Sequence, residues 1–273
     1  MKYGIVSNIK RDADLKVANR TKALIESLGS EAVLDPACDD DSIGMIISVG
    51  GDGTFLSVIH RYIDTGCSFI GINKGSVGFL TSINEDDLER DIPKLVKGEY
   101  ELIERNMLGV TVFDKDGNQK GKDFCLNDII VCRGDWPHVT NLDLSIDGNK
   151  IETFRGDGIV VATATGSTAY SLAAGGPIMM PYMEDIIVTP VCSNTFYGYS
   201  YITGKDSVIE IGLGNFESAP LITPDGRHFT DLACGDTIKI TGYDRCCKTV
   251  SFDKNSFFKD VKKKILQRGS FYE

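Results

Sequence analysis

Runs of apolar residues and helix-spaced apolar positions alternate through the first third of the chain. Tyr3 to Ser7 has the pattern of a buried strand. Asp12 or Asp14 can start a helix with Val17, Thr21, Leu24 and Leu28 on one face, and Gly29 closes it. A short strand at Ala32 to Leu34 follows, then an acidic stretch, Asp39-Asp40-Asp41, that reads as solvated surface. Met45 to Val49 is a second buried run, broken by Gly50-Gly51-Asp52-Gly53. Thr54 is the expected cap of a helix carrying Phe55, Val58, Ile59 and Tyr62 at helical spacing, over by Gly66. Ser68 to Asn73 is another buried strand, Asn73 to Leu80 a Gly-rich loop, and Glu85 to Lys97 an acidic helix that Pro93 interrupts or restarts. This order predicts a doubly wound α/β domain over residues 1–97, with ligands at the carboxyl ends of its parallel strands.

From about Gly98 the pattern changes to alternation punctuated by turns. Leu108 to Phe113 and Phe124 to Cys132, around Asp116-Gly117-Asn118, predict one hairpin. Leu142 to Ile146 and Ile151 to Phe154, around Asp147-Gly148-Asn149, predict another. Strand-like runs recur at Gly158–Thr163, Ile186–Val191, Val208–Leu213, Leu221–Thr223, Thr237–Thr241 and Thr249–Phe252. Residues 98–254 are therefore expected to form an all-β, sandwich-like domain. Phe257, Phe258, Val261 and Ile265 give a last helix, Asn255 to Gln267, and residues 255–273 are expected to return to the first domain.

Length and composition add limits. The 273 residues are 42% hydrophobic and 25% charged, enough for two ordinary cores. No apolar run reaches the length of a membrane span, and the first strand begins at once. The expectation is a cytoplasmic protein with no membrane partner. Eight cysteines with no C-x-x-C pair and no zinc spacing read as reduced, mostly buried thiols. A net charge of −10 argues against a nucleic-acid partner. A polyanionic substrate would need local neutralisation by basic groups, backbone amides or a divalent cation. His60 and Trp136 are read as structural.

Two stretches carry chemistry. Around Asp52, a strand, a Gly-rich turn and a helix start present backbone N–H groups and a positive dipole end to an anion such as phosphate. Asp52 itself would repel phosphate, so it suits a hydroxyl or a metal ion beside the phosphates. A plain strand-to-helix turn is the alternative. The stretch is neither G-x-x-x-x-G-K-[ST] nor G-x-G-x-x-G. The second stretch runs from Arg155 to Pro177. Asp157 sits in a Gly-Asp-Gly before a strand, and Thr165-Gly166-Ser167-Thr168 opens a short helix at Ala169-Tyr170. Tyr170 offers a ring face for a base or nicotinamide. A Ser/Thr-capped helix alone explains the caps but not Arg155, Asp157 and Tyr170 together.

Gly50-Gly51-Asp52-Gly53-Thr54 resembles the signature shared by NAD kinases, diacylglycerol-type lipid kinases and 6-phosphofructokinases. Gly78-Phe79-Leu80, Leu126-Asn127-Asp128, Arg155-Gly156-Asp157-Gly158, Gly166 to Leu172 and Asp225-Gly226 extend the resemblance in order, and it is to NAD kinases over nearly the whole length. The Gly-Thr-Ala-Asn-Asp-type motif of the lipid kinases is absent. The resemblance implies phosphoryl transfer from ATP, or polyphosphate, to the adenosine 2′-hydroxyl of NAD, giving NADP, with Mg²⁺. Asp52 would be the catalytic base with Gly53 beside it, and Phe79 would flank the adenine. Asn127, Asp128, Arg155, Asp157, Thr165, Thr168, Ala169, Tyr170, Ser171, Leu172 and Ala173 would bind substrate, and His138 occupies a position that is usually basic. A homo-oligomer, dimer or tetramer, is implied as well. Three departures stand out: Ser193 to Tyr201 lacks the family's basic residues, Asp128 replaces the commoner Glu, and Arg227 replaces a Gln or Asn and could add a phosphate contact. A lipid or sugar kinase of the same superfamily and a non-catalytic NAD(P)-binding sensor are the alternatives.

Overall fold

A computed structural model describes residues 1–74, 78–134, 139–193, 198–253, 257–259 and 261–262. The chain divides into two compact units, Met1–Glu104 with Cys247–Glu273, and Arg105–Cys246. The boundaries expected at 97/98 and 254/255 thus fall at 104/105 and 246/247.

In the first unit the strands β1 (Lys2–Ser7), β2 (Glu31–Leu34), β3 (Ile43–Gly50), β4 (Ser68–Asn73), β5 (Ile83–Asn84) and β6 (Glu101–Arg105) form one sheet with the late strand Cys247–Ser251. The order is β2-β1-β3-β4, then Cys247–Ser251, then β6, with β5 also pairing β4. Pairings around β1, β3 and β4 are parallel, as a doubly wound arrangement requires. All six residues of β4 and seven of the eight in β3 are buried, which is why both read as continuous apolar runs. Helices α1 (Lys16–Ser27), α2 (Asp52–Tyr62) and α3 (Leu88–Lys97) connect the strands.

Several expectations are corrected here. Thr54 is not the cap of α2. The helix begins at Asp52 with Gly51 as N-cap, because Thr54 and Phe55 both donate their N–H to the Gly51 carbonyl at 3.0 Å. Pro93 neither breaks nor restarts α3, which runs through it. The carbonyl four residues back belongs to the exposed Glu89, where water can replace the missing N–H. Asp12 does cap α1, but from outside: its buried carboxylate accepts N–H from Val17 (2.9 Å) and Ala18 (3.1 Å). The run at Thr249–Phe252, expected in the β domain, belongs to the first sheet, where Thr249 pairs Phe69 of β4 in parallel. Most of the expected last helix lies outside the described residues.

The second unit contains β7 (Leu108–Phe113), β8 (Gln119–Cys125), β9 (Asp128–Cys132), β10 (Thr140–Ile146), β11 (Asn149–Gly156), β12 (Gly158–Ala162), the short α4 (Tyr170–Ala173), β13 (Ile186–Val191), β14 (Tyr201–Thr203), β15 (Ile209–Leu213), β16 (Leu221–Pro224) and β17 (Thr237–Gly242). They form two sheets, β11-β10-β15-β17-β7-β8 and β14-β13-β12-β9-β16. Inward residues of both, such as Val110, Leu142 and Ile211 from one and Val131, Ile159 and Val188 from the other, share one buried core. This is the sandwich that the alternation predicts. The expected single strand Phe124–Cys132 is two strands, β8 in one sheet and β9 in the other, with the chain crossing at Leu126-Asn127. It crosses again at Asp157, between β11 and β12.

Candidate functional site

In the first unit the site is the turn between β3 and α2. Gly50 has a steric reason to be glycine, whereas Gly51 lies against the end of a flexible side chain that can move aside. A side chain at Gly50 would run into Thr54, with a Cβ–Cβ distance of 2.7 Å, and one at Gly51 would meet the Arg11 guanidinium at 2.9 Å. At Gly53 a Cβ would meet nothing within 4 Å, so that side of the turn is open. Asn8 donates to the Thr54 hydroxyl at 3.1 Å, tying the loop after β1 to the turn. No side-chain hydrogen bond caps α2, and with the Thr54 and Phe55 N–H groups taken by the Gly51 carbonyl, the first-turn donors it can offer an anion are the N–H groups of Asp52 and Gly53.

Asp52 is held from the opposite side. Its Oδ2 accepts the Phe79 N–H at 2.7 Å and its Oδ1 the Leu80 N–H at 3.0 Å. Gly78 packs so closely that a Cβ there would overlap Oδ1. The Gly78-Phe79-Leu80 segment is thus a backbone clamp that fixes the carboxylate while one lone pair on each oxygen remains for a proton or cation. Nearby, Lys74 donates its N–H to the Gly50 carbonyl at 2.9 Å and places its ammonium 3.5 Å from both Asp12 and Glu85. Burial works to raise the pKa of Asp12. The N–H groups of Val17 and Ala18, the Ser7 hydroxyl and the Lys74 charge outweigh it and hold the carboxyl below its usual range.

In the second unit the site is built where the chain changes sheets. Asn127 and Asp128 follow the first crossing. The Asn127 Oδ1 is buried with no hydrogen-bond partner among the described residues, an acceptor suited to a ligand donor. Asp128 is 4% exposed. Burial, and then the charge of Asp225, push its carboxyl up to about 7, although the Tyr170 N–H lowers it. That N–H also places the start of α4 against Asp128. Thr163 bridges the same corner, donating its hydroxyl to the Leu126 carbonyl at 2.6 Å and accepting the Gly166 N–H at 3.0 Å. Thr165 accepts from the Arg105 guanidinium at 3.2 Å, and Thr168 is buried beside it, donating to the Thr165 carbonyl at 3.4 Å.

Asp157, at the second crossing, pairs with Arg133 at 2.7 Å. The Tyr170 phenol, 43% exposed, lies within electrostatic reach of both, and of Cys132 and Cys192. Burial, then the two cysteines and Asp157, raise its pKa against the Arg133 charge.

The family models for the ATP-NAD kinase N-terminal domain and the ATP-NAD kinase C-terminal domain match residues 5–100 and 126–252. The NAD kinase of Ruminiclostridium cellulolyticum is 35% identical, with 98% of each chain covered. The chain belongs to the NAD kinase family. The NAD kinase of Acetivibrio thermocellus is 32% identical, again over 98% of both chains. Among solved structures, an Archaeoglobus fulgidus NAD kinase in complex with ATP superposes with a TM-score of 0.77 at 27% identity, covering 98% of this chain and 99% of that one. Yeast NADH kinase complexed with NADH gives 0.82 at 24% identity over 96% and 86%, a likeness of fold.

Within this family member, the residues singled out from sequence fall into groups. Asp52, Gly53 and Phe79 come together in the first unit. Asn127, Asp128, Thr165, Thr168, Ala169 and Tyr170 come together in the second, with Asp157 beside Tyr170. Ser171 is fully buried, its hydroxyl bonded to Thr189 at 3.2 Å, so it supports α4 from within, while Leu172 is half-buried and Ala173 exposed. Arg155 is exposed on β11 and is not the partner of Asp157. The Arg227 guanidinium is bound by Asp123 at 2.9 Å. His138 and Trp136 lie outside the described residues, as do residues 194–197 of the divergent stretch. The cysteines are less buried than expected: Cys38, Cys192 and Cys234 are exposed. Sequence reasoning missed Arg11, Arg133 and Asp225. Arg11 and Arg133 sit in loops with no periodic signal, whereas Asp225 had one, an Asp-Gly turn matching the family.

Proposed function

We propose that this enzyme transfers the γ-phosphoryl of ATP to the adenosine 2′-hydroxyl of NAD, forming NADP, with Asp52 as general base. The observation that carries the reading is the clamped Asp52 carboxylate at the start of a helix without a side-chain cap. Phosphoryl transfer asks mainly for alignment and charge stabilisation, and both are supplied by fixed backbone groups. Gly53 leaves room for the phosphates, and Arg11 adds a cation at the turn. Asn127, Asp128, Thr165, Thr168, Ala169 and Tyr170 bind the dinucleotide, Tyr170 by its ring face, and Phe79 flanks the adenine. Asp157, Leu172 and Ala173 line the site. The exposed Arg155 and Arg227 are candidate contacts for phosphate or ribose, and the resemblance adds His138.

No cluster of three or more metal-ligating side chains occurs among the described residues. That fits Mg²⁺, which is bound through one or two carboxylates plus substrate phosphates rather than in a protein cage. Asp52, the carboxylate of the turn, would hold the ion together with the substrate phosphates, and the ion would supply neutralisation of the charge developing on them. Polyphosphate presents the same oxygens and is the alternative donor. The reading carries the family's expectation of a cytoplasmic homo-oligomer. Among the described residues no helix is long and apolar enough to cross a membrane.

The test is incubation with NAD and Mg-ATP, or Mg-polyphosphate, followed by detection of NADP. Asp52→Asn keeps the shape but cannot accept the proton, so kcat should fall by about 10²–10⁴-fold while calorimetry still detects NAD binding. Near-wild-type turnover in that variant would remove Asp52 from the chemistry. Phosphorylation of diacylglycerol at comparable rates would sink the choice of acceptor.

A further inference from the structure

Asp225 has no part in the reading above, yet more hydrogen bonds converge on it than on Asp52. It opens the turn after β16 with φ 48°, followed by Gly226 at φ 72°. Its Oδ2 accepts the Leu126 N–H at 2.8 Å, and its Oδ1 accepts the N–H groups of Asn127 at 2.8 Å and Asp128 at 3.4 Å. Its own N–H donates to the Asp128 carbonyl at 2.9 Å. These four bonds join the turn to the three residues at which the chain changes sheets. An alternative arrangement there would rotate the orphaned Asn127 Oδ1 and the Asp128 carboxyl away together.

The clamp also has a charge. Carboxylates that share a small buried region do not both ionise readily. Both Asp225 oxygens are committed to the backbone N–H groups of the crossing, so of the two carboxyl groups it is the buried Asp128 that is left for the substrate. We propose that Asp225 is a positioning residue whose N–H clamp fixes Asn127-Asp128 and which, together with the burial of that corner, makes Asp128 face the substrate as a hydrogen-bond donor. The inference rests on the reading of Asn127 and Asp128 as dinucleotide-binding residues. A protonated Asp128 could offer its O–H to an acceptor atom of ribose or base, which an ionised carboxylate cannot do.

The other groups around Asp128 do not supply that charge. From α4 it receives the Tyr170 N–H, which favours the ionised form. At the end of β8 lies the Cys125 thiol, fully buried and pushed well up by burial and then by Asp225 and Asp128, so it stays neutral. Asp123, further along β8, is ion-paired to Arg227. Across the β9–β12 ladder its partner is Ala162.

The experiment uses the full-length protein with ¹³C-labelled aspartate carboxyls, titrated by NMR from pH 5 to 9 as wild type, Asp128→Asn and Asp225→Asn. The dissociation constant for NAD is measured by calorimetry over the same range. Asn is suited to positive φ, so Asp225→Asn should keep the turn, although its single amide oxygen can receive only one side of the clamp, and its fold is therefore checked by circular dichroism against wild type. In the wild type Asp128 should titrate near neutral pH, and NAD binding should weaken by about tenfold, roughly one hydrogen bond, as pH rises through that midpoint. In Asp225→Asn both midpoints should move down by about one pH unit or more, because the like charge is gone. Asp128→Asn carries a permanent N–H donor, so its NAD affinity should lose the pH dependence. A folded Asp225→Asn protein with an unmoved midpoint would overturn the proposal. If Asp225→Asn does not fold, an Asp128→Asn profile with the wild-type pH break overturns it instead. If the wild type neither binds NAD nor forms NADP, the nucleotide reading fails, and the carboxyl titration still decides whether Asp225 acts on Asp128.

Discussion

Gly78→Ala tests the Asp52 arrangement with one added carbon. The new Cβ would overlap Asp52 Oδ1 and stand 2.7 Å from Cγ and 3.0 Å from Oδ2. Overpacking of this kind is relieved by moving the softer partner, here the carboxylate. Turning it away forfeits the N–H bonds from Phe79 and Leu80. Hydrogen bonds to charged groups contribute about 1.5–3 kcal/mol each, so the two together set a ceiling near 6 kcal/mol. Asp52 is only partly buried, and water replaces much of what is lost. The expected cost in stability is therefore about 2 kcal/mol, read as a shift of the urea midpoint. The rate should suffer far more. A general base must stay within hydrogen-bond reach of the proton it takes, and a displacement near 1 Å can cost about 10²-fold. The assay is kcat for NADP formation under saturating Mg-ATP and NAD, on protein whose circular dichroism matches wild type. A folded Gly78→Ala enzyme with kcat within about twofold of wild type would show that the backbone clamp does not orient the base.

Two further variants separate packing from chemistry. Gly53→Ala meets empty space, so helix propensity should raise stability by up to about 1 kcal/mol. If phosphate passes over that glycine, KM for ATP should rise all the same, and an unchanged KM would place the donor elsewhere. Asp128→Asn should alter stability in a pH-dependent way. The folded carboxyl titrates at about 7, above its ordinary value of 3.8, so the unfolded chain releases its proton first. The wild type therefore loses stability as pH rises from about 4 to about 7, at roughly 1.4 kcal/mol per pH unit. Asn has no such loss, so urea midpoints should diverge in the variant's favour by roughly 3 kcal/mol between pH 5 and pH 8. A gap that stays constant over that range would contradict the raised value.

Much of the first unit was legible because its central strands are buried on both faces. Met45–Val49 and Ser68–Asn73 announce themselves as unbroken apolar runs, and Phe55, Val58, Ile59 and Tyr62 mark the buried face of α2. What periodicity could not convey was partnership. Cys247–Ser251 has the composition of a strand, but nothing local says that it pairs with β4, some 180 positions earlier. Glu101–Arg105 and the start of β8 were missed for the opposite reason: Glu101, Leu102 and Glu104 are exposed, and so are Gln119 and Lys120, so neither edge strand carries a buried pattern.

The β8–β9 crossing shows why the fold was misread at the place where the sequence also marked candidate site residues. Phe124-Cys125-Leu126 and Ile129-Ile130-Val131 are apolar on both sides of Asn127-Asp128, and a single strand is the simplest reading of that pattern. Two polar residues in the middle of a buried run would each carry a desolvation penalty in a continuous ladder. The structure meets that cost by ending one strand and starting another in the facing sheet, with the Asp225 carboxylate receiving the N–H groups thus released. The same solution recurs at Asp157, where β11 gives way to β12 and the aspartate N–H passes to the Val191 carbonyl at 2.9 Å. Polar groups that would be intolerable inside either sheet are thereby held at the corners of the sandwich, Asp128 buried and Asn127 and Asp157 partly so. A polar pair interrupting an apolar run was the signal for both the fold and the site, and its meaning depended on a carboxylate nearly a hundred residues away.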